Sequence, residues 1–245
     1  MRTLKLTLEY DGTPFVGWQV QQNGPSVQAA IEAALQELTG ERIKVAASGR
    51  TDSGVHALGQ VISFETGVGH ALRAFRDGLN ALLPPEIAVR EAAEAEPGFH
   101  ALRAAKLKLY RYQIHNDRAR RPVLRLRAWH VKPPLDIERM RDGARRVLGE
   151  HDFAAFCAAE SEARTTRRRI DRAEVVRAKD GTIELEFQGP GFLHQMVRRL
   201  AGVLVEVGRG ARPADWLEEL LAPAERSAAG PTAPPHGLFL VRVDY

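Results

Sequence analysis

The chain has 245 residues, 44% hydrophobic and 27% charged, which is enough to bury one large core or two small ones and too apolar for general disorder. A single cysteine, Cys157, excludes an internal disulfide framework and argues against a cysteine-based zinc site. The formal net charge of +4 is uneven: −3 through Ala104 and +7 beyond it, with 29 of the 35 basic residues arginine. Arginine's planar fork suits phosphate and stacks on bases, so the bias fits a nucleic-acid partner. Genomic composition or heat adaptation gives the same bias without any ligand. No basic stretch followed by an apolar run opens the chain, and no apolar run approaches spanning length, which predicts a soluble, cytoplasmic protein.

Residues 3–9 alternate strictly, with Leu4, Leu6 and Leu8 on one side, and predict a half-buried strand. A turn-rich loop follows, from Asp11-Gly12 to Asn23-Gly24-Pro25. Its Phe15 and Trp18 are either core or ligand contacts. The period then becomes helical over 26–39, with Ser26 as cap and Gly40 as stop. Strands are predicted at 43–48 and 59–65, a helix at 71–82 ended by Pro84-Pro85, and a strand near 87–92. The second half repeats this grammar loosely. Strands are predicted at 107–115 and 127–132, and an amphipathic helix at 136–148 stopped by Gly149. Strands follow at 170–177 and 182–188, then an apolar helix at 192–207 ended by Gly208. A short helix runs from Pro213 to Leu221, a Pro/Ala-rich loop covers 223–236, and the last strand is 238–244. The order predicts an α+β fold of two lobes, 1–104 and 105–245, each with a mainly antiparallel sheet flanked by helices, joined around a central cleft.

The segment Gly49-Arg50-Thr51-Asp52-Ser53-Gly54-Val55-His56 sets one carboxylate between a guanidinium and an imidazole. Beside Arg50, Asp52 is expected to stay ionised, which suits a nucleophile or general base. The same string also reads as an ordinary Asp-Ser-Gly turn. Tyr110 and Tyr112 share a strand face, where a tyrosine either packs in the core or stacks on a base. Arg198 and Arg199 lie on an apolar helix and need partners. One of them pairs with Asp52, or both reach solvent or phosphate. The clusters Arg118, Arg120, Arg121, Arg125, Arg127 and Arg164, Arg167, Arg168, Arg169, Arg172 are either solvated loops or a phosphate-tracking surface. The eight histidines show no metal-ligand spacing, and neither a Walker loop nor a dinucleotide fingerprint is present, so neither metal nor cofactor is expected.

The string GRTDSGVHALGQV resembles the catalytic motif of the tRNA pseudouridine synthase A family. YDGTPFVGWQVQ, VQAAIEAAL, FHALRAAKLKLYRYQI, DFAAFC, TTRRRI, GPGFLHQMVRRLAG and TAPPHGLFLVRVDY follow in the family's order, so the likeness covers nearly the whole chain. It implies the pseudouridine synthase fold, no cofactor, a homodimer and a tRNA partner. It implies conversion of uridine to pseudouridine in the anticodon stem-loop, at positions thirty-eight, thirty-nine or forty. By the same likeness Asp52 is the catalytic aspartate and Tyr110 the active-site tyrosine. Arg50 helps evict the base, and Arg198 pairs with the aspartate. Ser53 stands where alanine is commoner in the family, and Pro235-His236 stands where Pro-Ala is usual.

Overall fold

The computed structural model describes residues 1–159, 161, 163–222 and 230–245. The chain divides into two units, Met1–Lys106 with Phe239–Tyr245, and Leu107–Leu238.

In the first unit, strand β1 (Arg2–Tyr10) lies between β3 (His56–Thr66) and β4 (Ile87–Ala95), antiparallel to both. Leu4, Leu6 and Leu8 are fully buried, as their alternation requires. Each contributes about 1.5–3 kcal/mol of apolar burial. Helix α1 (Val27–Thr39) starts where Ser26 Oγ accepts the Ala29 N–H and ends at Gly40, whose φ of 74° closes it. The expected strand at 43–48 shrinks to β2 (Ala46–Ala47), paired with β3. The helix expected over 71–82 is a π-helical turn at Ala74–Gly78 continued by α2 (Leu79–Leu82). Phe75 and Leu79 are buried there, and the Phe75 ring lies 6.0 Å from that of Phe64 on β3.

The last strand, β11 (Leu238–Asp244), runs parallel to β3, with Phe239 opposite His56 and Leu240 opposite Ala57. Residues 239–245, grouped by sequence with the second lobe, are thus part of the first unit. Tyr245 fixes the end: its hydroxyl donates to the Ala101 carbonyl at 3.0 Å, and its ring packs on Phe99 at 5.0 Å.

The second unit is built on β5 (Leu107–Asn116), β10 (Ile183–Gly189) and β9 (Arg172–Arg177), antiparallel in that spatial order, with β6 (Trp129–Val131) parallel to β5. Helix α3 (Ile137–Arg145) is capped by Asp136, whose carboxylate accepts the Glu138 and Arg139 N–H groups. It packs against α4 (Met196–Gly208), most of which is buried, and near the short α5 (Trp216–Leu221). Cys157 is buried, as its apolar context predicts.

Two departures from the sequence pattern stand out. The strand expected at 170–177 is divided, and β8 (Arg167–Ile170) pairs with β7 (Gly149–Asp152) as a separate ladder. Helix α4 begins at Met196 rather than 192, because Gln195 holds a left-handed φ of 62°. The part of the 223–236 loop that covers 223–229 lies outside the described residues. The fold is α+β with mainly antiparallel pairing. Among the described residues no helix is long and apolar enough to cross a membrane.

Candidate active site

Asp52 sits on the loop that leads into β3, and a second loop, 11–18, braces it. An antiparallel bridge joins Gly17 to Asp52, and the Trp18 N–H donates to the Thr51 carbonyl at 3.0 Å. The Ser53 hydroxyl and the Gly54 N–H both donate to the Phe15 carbonyl. The Val55 N–H closes the turn on the Asp52 carbonyl at 3.1 Å. The two loops touch so closely at Gly12 that a Cβ there would lie 1.9 Å from the Val55 carbonyl oxygen, which only glycine avoids. Phe15 and Trp18 are buried, so of the two roles open to them the core is the one they fill.

Beneath this loop lies a buried polar network. The Tyr10 hydroxyl and Thr51 Oγ1 are 2.8 Å apart, and burial pushes the Tyr10 pKa up to about 12. Gln60, fully buried on β3, donates from Nε2 to the Gly49 carbonyl at 2.8 Å and accepts the Ser48 hydroxyl at 2.6 Å. His56 is buried and stacks on Phe239 at 4.8 Å. Its Nδ1 accepts the Gly12 N–H at 3.1 Å, which needs an unprotonated nitrogen. The Asp11 carboxylate, 3.1 Å from the same atom, accepts from it only when Nδ1 carries the proton, so the two contacts are alternatives. Every residue that flanks Asp52 is therefore pinned, while Asp52 itself is half-buried and Arg50 is exposed. Sequence reasoning passed over Tyr10 and Gln60. The available signal was a polar side chain at an inward position of an otherwise apolar strand.

In the second unit Tyr110 is buried at 8% exposure on β5, opposite Phe187 of β10, and its ring meets Phe192 edge-on at 5.1 Å. Tyr112, on the same strand face, is fully buried and donates its hydroxyl to the Pro234 carbonyl at 2.8 Å, which makes it a core residue. Burial raises its pKa, and the nearby Arg198 guanidinium lowers it by less. Arg198 is half-buried on α4, and its Nε donates to the Ala233 carbonyl at 2.9 Å. Arg199 donates to the Ala155 carbonyl at 3.2 Å. The structure thus gathers Arg50 with Asp52 in one unit, and Tyr110 with Arg198 in the other. Among the described residues no group of three or more His, Cys, Asp or Glu side chains could hold a metal ion.

Comparison with known proteins decides the family. The model of the family described as tRNA pseudouridine synthase matches residues 7–101 and 144–245. A protein named tRNA pseudouridine synthase A from Myxococcus xanthus is 49% identical over all of this chain and 92% of its own. One of the same name from Geotalea uraniireducens is 52% identical over the whole of both chains. The chain belongs to the tRNA pseudouridine synthase A family. It is an isomerase acting on tRNA. The two segments matched by the family model hold the Asp52 loop and the Arg198 helix, with Tyr110 between them. Among solved structures, an archaeal box H/ACA sRNP Nop10-Cbf5 complex matches at TM-score 0.39 and 12% identity, over 82% of this chain and 44% of that one. That likeness is too distant to carry any argument.

Proposed function

We propose that this synthase acts on the anticodon stem-loop, converting uridine at positions thirty-eight, thirty-nine or forty, with Asp52 as the catalytic group. The isomerisation breaks the C1′–N1 bond, turns the uracil and joins C5 to C1′. The C5 proton is lost and N1 gains one, so no cofactor is consumed. The target must leave the stack, at a cost of a few kcal/mol. Asp52 meets the sugar of the extruded nucleotide, either attacking C1′ or removing a sugar proton. Arg50, exposed on the same loop, fills the vacated stack. Tyr110 lies against the uracil, and Arg198 supplies the counter-charge for the carboxylate. The reading includes a cytoplasmic homodimer that binds one tRNA with both subunits.

The observation that supports it best is the bracing of the Asp52 loop. Hydrogen bonds to residues 15–18 and the buried Tyr10–Thr51–Gln60 network fix the backbone on both sides of one half-buried carboxylate. A surface turn with no chemical task has no need of such support. The test is Asp52→Asn on purified protein with unmodified tRNA, followed by mapping of pseudouridine. The expected result is loss of product at all three positions with tRNA binding intact. Product formation at the wild-type rate removes Asp52 from the mechanism.

A further inference from the structure

Lys108 precedes Tyr110 by two residues on β5, and the period of the strand places both on one face. It is 8% exposed, and its ammonium, which reaches the surface, makes no hydrogen bond or ion pair with any described residue. Burial alone pulls its pKa below the ordinary lysine range, with no carboxylate acting against it. The reason lies in the register of β5 with β10. On the Lys108 face the β10 partners are Gly189, Phe187, Leu185 and Ile183, none of them acidic. The strand's carboxylates, Glu184 and Glu186, occupy the opposite face and are engaged by Arg111 and Arg172. Directly across from Lys108 stands Gly189, where a Cβ would lie 2.3 Å from the Arg169 carbonyl oxygen, so no side chain can fill that place. Gly189 leads through Pro190-Gly191 to Phe192, the ring packed on Tyr110.

A buried lysine stem that carries its ammonium to the surface beside Tyr110, with no carboxylate to meet it, leaves that charge open to an arriving anion. None of the described residues pairs with it, and the substrate is a polyanion. We propose that Lys108 is a substrate-contacting residue whose ammonium takes an anionic oxygen of the extruded nucleotide beside Tyr110. This rests on Tyr110 lying against the target uridine. Two oxygens of that nucleotide have the required chemistry. One is its phosphate, which is charged from the start. The other is a uracil oxygen, which becomes negative as the C1′–N1 electron pair stays on the ring. In the second case Lys108 keeps its proton and donates an N–H to that oxygen. The charge disappears when the pair enters the new C5–C1′ bond, after which C5 loses a proton and N1 gains one.

The test compares wild type, Lys108→Met and Asp52→Asn by tRNA affinity at fixed salt, single-turnover rate at saturating enzyme, and thermal midpoint. Lys108→Met keeps a buried apolar stem of similar length and removes only the ammonium at its tip, so its midpoint is expected to equal that of wild type. Contact with the uracil oxygen lowers the rate about 100-fold, as loss of one preorganised donor does, and leaves affinity within about twofold. Contact with phosphate weakens affinity about tenfold and leaves the saturated rate unchanged. The proposal is overturned if Lys108→Met keeps both rate and affinity, or if activity is lost together with a fallen midpoint. An inactive Asp52→Asn beside a fully active Lys108→Met sinks the lysine alone. A fully active Asp52→Asn sinks the reading of the site on which it rests.

Discussion

Position of the Asp52 carboxylate depends on residues that never touch substrate in the proposed reaction. Thr51 is the clearest. Its hydroxyl is the near partner of the buried Tyr10 hydroxyl, at 2.8 Å, and the only other partner among the described residues, Gln60 Nε2, is at 3.5 Å. Thr51→Val keeps the shape and strands the Tyr10 hydroxyl, which costs about 1–3 kcal/mol in urea unfolding. Adding Tyr10→Phe removes the stranded group, so the double variant is expected to be more stable than Thr51→Val alone. Equal or lower stability of the double variant removes this hydrogen bond from the loop's support. Tyr10, with its pKa at about 12, stays neutral over the working range, so the network does not titrate near neutral pH.

At the scale of elements, the turn Pro235–Gly237 before β11 carries a pH dependence. His236 has a lowered pKa because burial disfavours its charged form. A hydrogen bond with the Ala128 backbone opposes this, and the Arg198 charge adds to it. The neutral ring is the one that fits. Above the unfolded value of about 6.5 stability is unaffected. As the pH falls below it and toward the folded value, the unfolded state binds more protons and stability declines. His236→Gln is expected to abolish that component. Wild type minus variant stability, measured by urea unfolding from pH 8 to pH 5, then declines with acid. A flat difference removes His236 from the pH response.

Elements whose residues carry a strong local signal were legible in the sequence. The Leu4–Leu6–Leu8 alternation and the Ser26 and Gly40 caps gave β1 and α1 to within two residues. What escaped depends on distant contacts or on backbone geometry. β3 begins at His56 rather than 59 because β11, far along the chain, pairs with that end. The β7–β8 ladder is built from Gly149–Asp152 and Arg167–Ile170, which show no apolar alternation to announce a strand. Gln195 in the left-handed region delays α4, and no residue type there signals it. The same division holds at the candidate site. The Asp52 string was visible because its chemistry is local. The Tyr10–Thr51–Gln60 support joins residues fifty positions apart and was not.

At the scale of the whole molecule, the basic excess beyond Ala104 is not one uniform surface. The two arginine clusters look alike in sequence but differ in what they face. Arg167 pairs with Glu150, Arg169 with Asp171, and Arg172 with Glu174 and Glu186. Three of that cluster's five arginines are thus paired, while Arg168 binds only backbone carbonyls and Arg164 has no carboxylate partner among the described residues. On the β5–β6 loop, Arg121 lies 3.7 Å from Asp180, but Arg118, Arg120 and Arg125 are exposed and have no carboxylate partner among the described residues. Free arginines release counterions from RNA when they bind phosphate, whereas paired ones must first give up a carboxylate. Replacing Arg118, Arg120 and Arg125 together by Gln is therefore expected to flatten the slope of log affinity for tRNA against log salt by about 0.7–0.9 for each phosphate that is no longer neutralised. Replacing Arg167 and Arg169 by Gln should change it far less. Both variants should keep the wild-type rate at saturating tRNA, since neither loop holds the groups assigned to the chemistry. Equal slopes in the two variants would mean that surface charge as a whole, and not the unpaired arginines of one loop, holds the RNA.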